Sequence, residues 1–107
     1  MSVNNSVEEI SENGFEKKVE KGFAVIDFWA SWCMPCLIMS PVIEEMAGKF
    51  PKIKFLKVNV DENSKLSEKF NIMSIPTLII FKEGKETGRI IGSLQAEQLE
   101  EKLKSYL

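Results

Sequence analysis

A chain of 107 residues, 44% hydrophobic and 28% charged, suits one folded domain over 1–107; it is too short for two ordinary domains and too apolar for a disordered chain. Fourteen basic against sixteen acidic side chains leave a net charge of −2, without the basic footprint that nucleic acid requires. Histidine is absent, which removes His-based acid–base catalysis, Cys-His dyads and most zinc chemistry, and leaves proton transfer near neutral pH to a thiol or to a carboxylate or lysine displaced from its usual pKa.

Residues 1–6 hold no basic region followed by an apolar stretch, so a loose end is expected there and a secretory signal is not. Val7–Ile10 reads as a short edge strand. Ser6-x-x-Glu9 also fits a capping box, but Gly14 disfavours one helix through this region. A helix is predicted over 12–21, with Phe15 and Val19 one turn apart and facing inward. Phe23–Trp29 is apolar at nearly every position, the pattern of a strand buried on both faces of a helix-covered sheet.

After a turn, a helix is predicted over 33–49. Leu37, Ile38, Val42, Ile43 and Met46 fall at helical spacing, and Pro41 is expected to kink it. Residues 53–60 form a second central strand, and Asn63 is placed to cap a short helix ending at Phe70. Residues 76–81 form a third strand that opens on proline, and Lys82–Lys85 turns into a fourth over 86–91, which Gly92 ends. The last helix runs over 95–106 with Leu99, Leu103 and Tyr106 on one stripe, and neither Leu94 nor Gln95 is a good cap. The order β-α-β-α-β-α-β-β-α describes an α/β domain: a mixed central sheet of four to five strands between about four helices. No uncharged stretch reaches the roughly 20 apolar residues of a membrane helix.

Trp32-Cys33-Met34-Pro35-Cys36 lies between a buried strand and a helix. Residues i and i+3 of a first helical turn share a face, so the two sulfurs can close a small ring. At the helix N-terminus, unpaired N–H groups and the macrodipole favour a thiolate at Cys33, and the thiolate is the nucleophile of disulfide exchange. Cys36, one turn in, is expected to be more buried. The residues alone leave a second reading open, in which two copies of the chain share a metal through four thiolates. Asp27, in the middle of an apolar strand, is expected to titrate high through desolvation, with Lys57 on a neighbouring strand as a counter-charge. Ile75-Pro76 alone does not establish a cis bond, since about 5–6% of X–Pro bonds in folded proteins are cis.

The run from Asp27 to Cys36 resembles the active-site segment of the thioredoxin family. So do Pro41, Lys57–Asp61, Ile75–Leu78, Phe81–Gly84 and Gly92, in matching order over roughly residues 7–107. The resemblance implies a three-layer sandwich and a cytoplasmic, monomeric protein-disulfide oxidoreductase that needs no added cofactor. It implies that Cys33 attacks a substrate disulfide and that Cys36 resolves the mixed disulfide with help from Asp27, itself tuned by Lys57. Pro76 would be cis against the sulfurs. Trp32, Met34, Pro35, Ile75, Pro76 and Gly92 would bind the substrate protein, and a flavoprotein thioredoxin reductase would supply electrons. A glutaredoxin- or isomerase-like protein of shifted potential, or a non-catalytic metal-bridged module, are the other readings. Two positions depart from the family pattern: Met34 stands where glycine is usual, and Leu37 replaces the usual lysine and makes the rim more apolar.

Overall fold

The computed structural model describes residues 7–107; the N-terminal segment with Ser6 and its capping box lies outside them. Nine elements follow in the expected order: β1 (Val7–Glu9), α1 (Phe15–Val19), β2 (Phe23–Trp29), α2 (Met34–Lys49), β3 (Ile53–Asn59), α3 (Ser64–Lys69), β4 (Thr77–Lys82), β5 (Lys85–Ile91) and α4 (Ala96–Tyr106). The strands form one sheet in the order β1-β3-β2-β4-β5. β1, β3 and β2 pair in parallel, and β4 and β5 add antiparallel at the other side.

Alternation along β2 explains its unbroken apolar run. Ala24, Ile26 and Phe28 pack with Phe15, Val19 and Leu66 under α1 and α3. Val25 points the other way, into a second core with Met39, Ile43 and Met46 of α2 and Leu99 and Leu103 of α4. Successive strand residues face opposite sides, so Asp27 and Trp29 share the face of Val25, the one that α2 covers. On the other face, Phe70 packs edge-on against Phe81, with ring centroids 5.6 Å apart.

Several local expectations are corrected. α1 spans five residues, not 12–21, because Gly14 adopts φ 84, a left-handed conformation that cannot extend a helix upstream. α2 begins at Met34 with Cys33 as its N-cap, and it runs through Pro41 to Lys49. Leu37 and Ile38 are exposed, although their hydrophobicity suggested the inner stripe; that stripe is Cys36, Met39, Ile43 and Met46. Asn63 sits at the cap position of α3 but makes no side-chain cap. Its Oδ1 instead accepts from the Glu12 N–H at 3.0 Å, and its Nδ2 donates to the Asn59 carbonyl at 3.0 Å, tying the chain after β1 to the end of β3. α4 gains the cap its sequence seemed to lack, because Gln98 Oε1 accepts from the Gln95 N–H at 3.2 Å. The β4–β5 turn places Glu83 at φ 51 and Gly84 at φ 82, the paired left-handed conformations of a tight hairpin. The Tyr106 ring lies directly over Gly88, so a methyl group at that position would overlap it.

Candidate active site

β2 delivers the chain to the site and α2 receives it. The Cys33 N–H donates to the Ala30 carbonyl at 3.2 Å, closing a turn that sets Cys33 at the helix entrance. The Cys36 N–H donates to Cys33 Sγ at 3.2 Å, so a backbone donor that would otherwise be unpaired at a helix start is aimed at this sulfur. Pro35 lies in the first turn, where its missing N–H costs nothing. Cys33 and Cys36 are joined in a disulfide. Both are buried and pack with Ala30, Trp29, Val60 and Ile75.

The loop before β4 closes over the sulfurs. The Ile75–Pro76 peptide is cis. The Ile75 carbonyl oxygen lies 3.8 Å from Cys33 Sγ, and the Gly92 N–H donates to the Pro76 carbonyl at 2.9 Å. Gly92 takes φ 93, which a side chain would strain. Residues 33, 75, 76 and 92, far apart in the chain, thus form one linked group. Trp32 is 69% exposed beside it, and with Val60, Ile72, Met73 and Ile75 it lines a shallow cavity of about 390 Å³. Its indole Nε1 donates to Asp61 Oδ2 at 2.7 Å. Met34 and Pro35 are exposed on the first turn of α2.

Asp27 is 5% exposed, and its Oδ1 is buried without a hydrogen-bond partner. Burial pushes its pKa up from 3.8 to about 7, and the positive charge of Lys57 opposes part of that rise. Lys57 is its register partner on β3, with Nζ 5.1 Å from the centre of the Trp29 ring. A carboxyl balanced between its two protonation states near neutrality therefore lies on the sheet face covered by the helix that carries both cysteines.

Asp61 belongs to the Lys57–Asp61 segment of the resemblance, but its bond to Trp32 is not legible in the sequence, because an aspartate 29 residues from its indole partner leaves no local signal. Of the site residues expected from the sequence, Cys33, Cys36, Ile75, Pro76 and Gly92 are linked around the disulfide, Trp32, Met34 and Pro35 adjoin it in the chain, and Asp27 and Lys57 lie on the strands β2 and β3.

Two cysteines three residues apart at a helix entrance, joined to each other and faced by a cis-proline loop on a helix-covered mixed sheet, define a dithiol–disulfide oxidoreductase. The family model described as Thioredoxin matches residues 6–105. The thioredoxin of Staphylococcus epidermidis is 41% identical over 103 residues, covering 95% of this chain and 99% of that protein. Those of Staphylococcus aureus and Staphylococcus haemolyticus are 41% and 40% identical over the same coverage. The chain belongs to the thioredoxin family, and it is a protein-disulfide oxidoreductase. Among the described residues, no helix is long and apolar enough to cross a membrane.

Proposed function

We propose that this protein acts as a monomeric cytoplasmic reductant of protein disulfides, carrying two electrons on Cys33 and Cys36 without a further cofactor. The observation that carries this reading is the Cys33–Cys36 pair at the entrance of α2, with a backbone N–H directed at Cys33 Sγ. In the reduced protein, the Cys33 thiolate attacks one sulfur of a substrate disulfide. A mixed disulfide forms and the first substrate thiolate leaves. Cys36 then attacks Cys33 Sγ, the second substrate thiolate leaves, and the protein is left oxidised. Two electrons have passed to the substrate, which takes up two protons.

Asp27 accepts the proton of Cys36 as that thiol attacks. A pKa of about 7 suits this task, since the carboxylate is present at working pH and still basic enough to be useful. Lys57 keeps that pKa from rising further. Trp32, Met34, Pro35, Ile75, Pro76 and Gly92 form the surface against which the substrate segment lies, with the backbone of Ile75 pairing to it as an added strand. A flavoprotein thioredoxin reductase returns the electrons. A reducing cytosol is consistent with a chain whose two cysteines both belong to the site.

The test is dithiothreitol-driven reduction of insulin. The wild type should catalyse it, Cys33→Ser should not, and Cys36→Ser should accumulate a covalent complex with the substrate. Equal rates for the wild type and Cys33→Ser would overturn the proposal.

A further inference from the structure

The outward side of the first two turns of α2 carries no charge. At 3.6 residues per turn, positions 34, 37, 38 and 41 lie together, opposite the buried stripe of Cys36, Met39, Ile43 and Met46. They are Met34, Leu37, Ile38 and Pro41. Met34 is 63% exposed, Leu37 44% and Ile38 64%, and Pro41 is exposed as well. The chain holds no charged residue between Asp27 and Glu44. α4 shows that this is not how the protein builds every surface helix: its exposed positions are Glu97, Gln98, Glu101, Lys102, Lys104 and Ser105.

A contiguous apolar surface held in water marks a place where something binds. This one starts at the residue after Cys33, so it is continuous with the point that every partner disulfide must reach. Trp32 and Met73, the latter 91% exposed, add a second apolar lobe on the chain segments before Cys33 and before Ile75.

We infer that the face of α2 formed by Met34, Leu37, Ile38 and Pro41 is a specificity surface for the exchange reaction, and that it selects partner proteins whose disulfide is flanked by uncharged, apolar side chains. This rests on the reading of Cys33 as the attacking sulfur. An apolar flank laid along this face removes hydrocarbon from water on both sides. A charged flank of either sign would lose its hydration with nothing to pair against, which discriminates by penalty as well as by attraction.

The experiment uses three synthetic peptides that share one disulfide and differ only in the two residues on either side of each cysteine: leucine, glutamate or lysine. The rate constant for oxidation of the reduced protein by each peptide is divided by that for 2-hydroxyethyl disulfide with the same variant. The leucine peptide is expected to react about tenfold faster than both charged ones, and the preference should fall below about threefold in Leu37→Gln/Ile38→Gln. Both replaced side chains are exposed, so each single variant should fold and show part of the loss.

Long-range charge would move the glutamate and lysine peptides in opposite directions, and that outcome would overturn the inference. So would a preference that the glutamines leave untouched. Self-association, or co-sedimentation with phosphatidylcholine vesicles, that the double substitution abolishes would assign the face to a second copy or to lipid and overturn it equally. Failure of the protein to react with 2-hydroxyethyl disulfide would instead count against the exchange chemistry itself.

Discussion

Asp27 and Lys57 are paired in register across β2 and β3, yet burial outweighs the lysine and holds the carboxyl near pKa 7. The folded protein therefore binds this proton more tightly than the unfolded chain does. The associated stability is complete below about pH 4 and is lost as pH rises through 7, by up to about 4 kcal/mol at 1.36 kcal/mol for each pKa unit. Asp27→Asn removes the titration. In urea denaturation of the oxidised proteins, the variant should gain little on the wild type at pH 4.5 and most at pH 8. A gain that does not change with pH would show that the carboxyl is not held in its neutral form by the fold.

The same substitution should slow the reaction. With no carboxylate to take the Cys36 proton, release of the mixed disulfide should fall roughly tenfold or more near pH 7. Single-turnover reduction of insulin followed from pH 6 to 8 measures this. An unchanged rate across that range would remove Asp27 from the mechanism and leave it a structural residue.

Asn63 offers a test of the scaffold away from the sulfurs. Asn63→Ala leaves the Glu12 N–H and the Asn59 carbonyl without their side-chain partner, at a cost of about 2–3 kcal/mol. Asn63→Asp keeps the acceptor for Glu12 and should fall between the two. Chemical denaturation at pH 7 ranks the three. If Asn63→Ala equals the wild type, the link between the β1 segment and β3 contributes nothing.

Gly88 and Tyr106 should be strongly coupled. Gly88→Ala drives a methyl group into the phenol ring and should destabilise by about 1–2 kcal/mol as the ring is displaced. In a Tyr106→Ala background the same change should turn neutral or slightly stabilising, because alanine restricts the unfolded chain more than glycine does. A double-mutant cycle reads the sign change directly, and additive effects would deny the contact.

The parts of the molecule that were legible in its sequence are those written in local pattern. Phe23–Trp29 announces a doubly covered strand by being apolar at every position but one. The exception is Asp27, whose conflict with its surroundings is itself the signal. Cys33 and Cys36 declare their pairing through helical spacing. What stayed hidden depends on phase or distance. α2 is apolar on both sides, so hydrophobicity could not tell whether Leu37 and Ile38 or Cys36 and Met39 face the core. Asp61 and Asn63 act through partners 29 and 51 residues away, which no local window joins. Gly14 disfavours a helix by composition, but its left-handed backbone, which makes α1 start only at Phe15, is set by the folded chain.

The Asp27 carboxyl ties the endurance of the fold to its chemistry. On the proposed mechanism, the neutral carboxyl that steadies the fold at acid pH cannot accept a proton, and the carboxylate that can accept one forms only as pH nears 7, where that steadying has been lost. Durability and turnover are set against each other by a single hydrogen nucleus.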